Sequence, residues 1–226
     1  MSIGASVRQR LVDSQGSVGD RARQRRWDMV TAVFPDLAEM DVIDLGGRVS
    51  TWLSAPVRPR SVHVVNLEQQ QDEADDDSIT AEYGDACELP EHVRSRGYDA
   101  VFSNSVLEHV GGHERRQRFA DSVHALAPAH WVQTPYRYFP VEPHWLFPGM
   151  QHLPLAARST IAEHWPLVNT RPGSHRGAVH DALGVELASI TEMRYYFPDS
   201  EILHERMFGL VKSLVAVKRP GPAATG

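Results

Sequence analysis

The sequence predicts an α/β fold built on a doubly wound, mostly parallel sheet. Three observations point there. Short apolar runs alternate with helical or loop stretches, a glycine pair follows the first run, and two extended runs about Gly209 close the chain. Strands separated by helices pair in parallel, because a crossover of helical length returns the chain to the same edge.

The 226 residues argue for one domain, residues 1–226, with a sizeable insertion. With 42% hydrophobic and 23% charged residues, neither a disordered nor a fibrous chain fits. Cys87 is the single cysteine, so no internal disulfide or cysteine-based zinc site is in view, and a reducing cytoplasm is the expected compartment. The first residues lack an apolar signal-peptide core, and nowhere do ~18 apolar residues run together, so no membrane association is expected. A net charge of −6 argues against a nucleic-acid partner. Monomer and homodimer both stay open.

Taken in order, residues 1–26 form a polar N-terminal arm with six arginines, Arg8, Arg10, Arg21, Arg23, Arg25 and Arg26. It reads as a solvated arm, helical in its second half. Trp27, Met29, Val30, Val33 and Phe34 then recur at helical spacing until Pro35 ends the helix. Asp41–Leu45, Ser61–Asn66, Ala100–Ser103 and Trp131–Gln133 read as strands, and Glu114–Leu126 as a helix with Phe119, Val123 and Leu126 on one face. Gln71–Ser78 carries five acids without EF-hand spacing and reads as a solvated loop. Residues 135–183, rich in proline, histidine and tryptophan, read as an inserted cap. Glu201–Arg206 and Leu210–Val217 then form an antiparallel hairpin at the sheet edge.

The segment DVIDLGGRVSTW, Asp41–Trp52, brings a strand to Asp44 and the pair Gly46 and Gly47. A glycine turn there lets the backbone approach a ligand closely. Further polar groups recur at later carboxyl ends: Asn66 and Glu68, Asp85, then Asn104, Glu108 and His109. Open α/β sheets bind ligands in that crevice.

On VIDLGG, GDA, YDAVFSNSVLEHV and the closing FPDSEILHERMFGLVKSLVAVKR, the chain resembles the class I S-adenosylmethionine-dependent methyltransferases of the small-molecule branch. The resemblance implies their Rossmann-like fold, a seven-stranded sheet with a reversed last strand, over roughly residues 27–134 and 186–218. It also implies S-adenosylmethionine as cofactor, with Gly46 beside its methionine part, Asn66 or Glu68 on the ribose, Asp85 and Ala86 about the adenine, and Asp44, Gly47 and Asn104 as further cofactor-binding residues. The sequence departs from the usual first motif at Arg48 and Ser50, where glycines normally stand.

Ser103–Val106 lacks the prolines and aromatic of amino-methylating enzymes, so a hydroxyl acceptor is expected. The cap is similar to that of actinobacterial sugar O-methyltransferases, including the kind that methylates a mannoside at its 1-hydroxyl, which implies a small saccharide acceptor. A phenolic or polyketide acceptor, and a non-catalytic cofactor-binding protein, are the rival readings. Tyr136, Arg137, Tyr138, Glu142 and Trp145 are the expected acceptor residues, since rings bearing hydroxyls call for stacking and hydrogen bonds together. A hydroxyl needs a base, a metal or both. His144 is the expected base and His109 its alternate, with Glu108 and Glu142 as candidate ligands should magnesium assist.

Overall fold

The computed structural model describes residues 14, 16–68, 76–168 and 171–221. The expectations for Arg8, Arg10, most of Gln71–Ser78 and the last residues of the tail lie outside the described residues.

Ser17 opens helix α1, Val18–Val33, by accepting a hydrogen bond from the Asp20 amide at 3.0 Å. This satisfies one of the donors a helix start leaves unpaired. The helix runs unbroken from the expected arm through Trp27 and ends at Phe34, ahead of Pro35. The arm's second half is therefore docked. Arg26 grips Glu205 on the closing hairpin through three hydrogen bonds of 2.9–3.2 Å.

Strands β1 (Asp41–Leu45), β2 (Ser61–Asn66), β3 (Ile79–Tyr83), β4 (Ala100–Asn104) and β5 (Ala129–Pro135) are parallel. The two-stranded β6 (Val141–Glu142) and β7 (Phe147–Pro148) stand apart, and β8 (Glu201–Met207) and β9 (Leu210–Lys218) complete the main sheet. The order is β3-β2-β1-β4-β5-β9-β8, with β9 antiparallel to both neighbours. The expected seven strands and reversed last strand are present. Chain direction outward from β1 switches between β2 and β4, which opens a crevice at their carboxyl ends.

Side chains alternate across the sheet and make two cores. Ile43, Leu45, Val101 and Val132 face helices α4 (His113–Leu126) and α7 (Ile190–Tyr196), where Phe119, Val123 and Met193 are fully buried. Val42, Val62, Val64 and Trp131 face the other way, against α1 and the short α2 (Val49–Leu53). There Trp52 packs edge-on to Trp27 at 5.5 Å and to Phe102 at 5.0 Å.

Two boundaries differ from expectation. β5 is longer than Trp131–Gln133, because β4 and β9 both pair along it and it is buried at every position. Pro135 thus belongs to the sheet, and the cap starts after it. The cap also holds two helices, α5 (Leu155–His164) and α6 (His175–Leu183); a short α3 (Glu91–Arg94) precedes β4. Trp145, Met150, Ala162 and Ala178 give the cap its own small core. Among the described residues no helix is long and apolar enough to cross a membrane.

Candidate active site

A cavity of about 550 Å³ opens at the carboxyl ends of β1, β2 and β4. It is lined by all eight expected cofactor residues, Asp44, Gly46, Gly47, Asn66, Glu68, Asp85, Ala86 and Asn104, together with His109.

Asp44 ends up beneath the glycine turn because it lies on the Trp52 face of β1. It is 1% exposed, and its Oδ2 accepts a 2.7 Å hydrogen bond from the Trp52 indole. Burial pushes its carboxyl up to about 7, with the indole hydrogen bond pulling the other way. Gly47 must be glycine: a Cβ there would sit 1.7 Å from Asp44 Oδ2. Gly46 adopts φ +77°, and a Cβ there would also strike Val106 at 2.5 Å.

Asn66 spends its carboxamide on this turn, donating to the carbonyls of Gly46 at 3.1 Å and Gly47 at 2.7 Å. Its Oδ1 accepts from the Glu68 amide at 2.9 Å. Glu68 is thereby aimed along the rim, where Arg48 meets it at 3.1 Å. At the next wall, burial would raise the Asp85 carboxyl, but hydrogen bonds from Arg115 at 2.7 Å and the Cys87 amide at 2.9 Å outweigh it and hold Asp85 below the ordinary carboxylate range. Burial pushes the Cys87 thiol up to about 11, which removes it as a nucleophile.

His109, from the β4–α4 connection, lines the cavity, and His144 meets it from the cap. Their Nε2 atoms are 3.0 Å apart and their rings nearly perpendicular, at 88°. His144 Nδ1 lies 2.7 Å from Glu142 Oε1, while Glu142 Oε2 accepts from the main-chain amides of His144 at 2.8 Å and Trp145 at 3.1 Å. His109 Nδ1 faces the carbonyl of Gly184 at 3.2 Å. A carboxylate only accepts, so His144 Nδ1 carries a proton toward Glu142, and at 3.0 Å the two Nε2 atoms hold one proton between them.

This arrangement redefines the expected metal ligands. Glu142 is 1% exposed and its oxygens already take three N–H groups, so it serves as the orienting partner of His144. Glu108 is equally buried and accepts from Thr134 at 2.8 Å. Among the described residues one group could hold a metal ion: Glu108, His109 and His144, with ligand atoms within 4.8 Å of one another. Two nitrogens and one oxygen suit a transition metal and do not fit the oxygen-rich shell that magnesium takes.

The expected acceptor residues are dispersed. Trp145 is 5% exposed and packs in the cap core. Tyr136 packs against the main core and meets the Tyr138 ring edge-on at 5.5 Å. Tyr138 is 60% exposed and lies flat over His152 at 6.0 Å. Arg137 turns away, to Glu192 at 3.0 Å, beside a larger recess of about 820 Å³. None of the strand-end residues reaches that recess, and Glu186 and Glu192 pair its arginines 116 and 137. The smaller cavity is therefore the candidate site.

Arg115, Thr134 and Val106 also shape the site and were not expected there. Arg115, whose partner Asp85 lies 30 residues earlier, leaves no local signal.

No protein-family model and no curated protein matches the chain. Solved structures do. A DhpI–SAH complex aligns over 98% of this chain and 100% of its own, at 13% identity and a TM-score of 0.56. Magnesium protoporphyrin IX methyltransferase (ChlM) from Synechocystis PCC 6803, with bound SAH, aligns over 95% and 93%, at 15% identity and a TM-score of 0.52. The 1,6-didemethyltoxoflavin-N1-methyltransferase of Burkholderia thailandensis, with S-adenosylhomocysteine and its substrate bound, aligns over 89% and 79%, at 15% identity and a TM-score of 0.52. The chain thus has the Rossmann-like class I methyltransferase fold.

Proposed function

We propose that the chain is an S-adenosylmethionine-dependent O-methyltransferase that transfers a methyl group to a hydroxyl of a small saccharide. The observation that carries this reading is the Glu142–His144–His109 array at the mouth of a cavity walled by the strand-end residues. The structural likeness to proteins solved with S-adenosylmethionine or its demethylated product supports the cofactor.

In this reading the methionine part of the cofactor lies against Gly46 and Gly47 above Asp44, Glu68 receives the ribose hydroxyls, and Asp85 with Ala86 brackets the adenine. Asn66 acts through the turn it fixes. The cofactor supplies a methyl group on a positive sulfonium. The protein aligns the acceptor and takes its proton. The acceptor oxygen forms the new O–C bond, the C–S pair stays on sulfur, and the hydroxyl proton passes to His144 Nε2. Glu142, bound to Nδ1, fixes the ring with Nε2 on the side of His109 and stabilises the imidazolium that forms. Deprotonation requires only these residues, so no magnesium is invoked. Tyr138, exposed on the cap outside the cavity wall, offers an aromatic face of the kind a saccharide ring stacks on.

The test is methyl transfer from methyl-labelled S-adenosylmethionine to a panel of short mannosides, other sugars and catechols. Label in a sugar is expected. Label in catechols alone would move the acceptor to the phenol class, and cofactor binding without label in any acceptor would favour a non-catalytic binder.

A further inference from the structure

The hairpin edge of the sheet carries a third, smaller recess of different chemistry. It holds about 280 Å³ between α1 and the β8–β9 hairpin, and its wall includes Arg21 and Arg25 from α1 with Arg206 and Lys212 from the hairpin. Its one carboxylate, Glu205, is already taken by the bidentate grip of Arg26. Among the described residues, none of the four cations has a carboxylate within salt-bridge reach. Arg206 donates only to the Gly209 carbonyl, at 3.0 Å. Four positive groups therefore share one hollow whose single carboxylate is already paired with a fifth, Arg26. Such crowding costs free energy in the empty protein and is relieved by an anion.

The Lys212 ammonium is held below the ordinary lysine range, first by burial and then by Arg26 and Arg23, against the pull of Glu205. The remaining wall is apolar. Met29 and Met207 line it, and Phe208, 85% exposed at φ +51° in the hairpin turn, stands at its edge. Phe208 and Gly209 are the two central residues of the hairpin turn, which needs φ above zero at both, and that turn carries the ring to the rim of the recess.

We propose that this recess is an oxyanion-binding site that takes the phosphate-monoester group of a small organic molecule. Arg21, Arg25, Arg206 and Lys212 hold the phosphate, and Met29, Met207 and Phe208 contact the organic part. Arginine suits a phosphate because its planar fork offers paired donors, and lysine adds a compact point charge. The volume admits a ligand of sugar-phosphate size and no polymer. The proposal stands apart from methyl transfer and needs neither cofactor nor turnover.

Calorimetric titration of the full chain at low ionic strength tests it, with glucose 6-phosphate, inorganic phosphate and glucose as probes. Glucose 6-phosphate is expected to bind, glucose to be silent, and Arg25→Gln and Lys212→Met each to weaken binding by roughly tenfold or more. Arg25 is exposed on its helix, so its variant keeps the fold should Lys212→Met lose it. Acylation adds a second reading, since Lys212 and Lys218 are the only lysines. Glucose 6-phosphate should slow labelling of Lys212 and leave Lys218 unchanged. No heat with glucose 6-phosphate, or equal heat in wild type and Arg25→Gln, would overturn the proposal; so would binding of inorganic phosphate alone, because the organic part would then have no place.

Discussion

Glu142 holds His144 at two points at once, the ring Nδ1 at 2.7 Å and the main-chain amide at 2.8 Å. Ring and backbone are thereby fixed as one unit against His109. His144→Ala should lower turnover by roughly 10²-fold while leaving cofactor affinity unchanged. Glu142→Gln should lower turnover by about tenfold, because an amide orients the ring without stabilising its charged form. Single-turnover rates beside cofactor titrations check both. Normal turnover in His144→Ala would remove that residue from the mechanism and leave His109 as the base.

Chelation separates base from metal catalysis. The proposed step uses only His144 and Glu142, so turnover should be the same before and after exhaustive treatment with a chelator. A loss restored by added magnesium or by a transition metal would contradict the base-only mechanism.

The glycine turn makes a steric prediction. Gly47→Ala places a Cβ on Asp44 Oδ2, which cannot move aside because Trp52 and the core hold it. The variant should lose about 1–3 kcal/mol of stability in urea titrations, together with most of its cofactor affinity. Unchanged stability would mean that the turn is not packed on Asp44.

How far this site could be read from the sequence depended on the residue. β1, β2 and β4 stand out as apolar runs because both their faces are buried, and their polar ends then marked the cavity. β3 did not stand out: only Ile79 of its five residues is buried, so an edge strand of polar side chains carries no hydrophobic rhythm. The cap helices were hidden behind prolines and small residues. Glu142 looked like a ligand because a lone carboxylate near a histidine fits either role, and only its burial and three N–H partners separate them. The meeting of His109 with His144, 35 residues apart, is a property of the fold alone.

Asp44 gives cofactor binding a pH dependence. Burial raises its carboxyl to about 7, so below that pH the folded protein holds it neutral. Because the folded value lies above the unfolded one, this group's contribution to stability is full at low pH and is lost as pH rises through about 7. A cationic cofactor favours the ionised form, so affinity for S-adenosylmethionine should climb from pH 6 to 8. Asp44→Asn should bind more weakly and flatten the profile, as calorimetry across that range would report.

His130 sets the acid limit. Burial, then the neighbouring His124 and Lys218, push it down to about 3, and its Nε2 meets Ser200 Oγ at 2.7 Å. The unfolded chain takes up that proton near 6.5 and the folded chain only near 3, so stability falls as pH drops through that window. Urea midpoints at neutral and mildly acid pH should differ more in wild type than in His130→Gln. Equal differences would show that His130 is not buried neutral.

The central claim is that the crevice at the ends of β1, β2 and β4 binds S-adenosylmethionine, and calorimetric titration of the full chain with that cofactor at pH 8 tests it most directly. One molecule per chain with an affinity in roughly the micromolar range is the result expected, with Gly47→Ala abolishing the heat. No heat at high protein concentration, or undiminished binding in a folded Gly47→Ala, would contradict it.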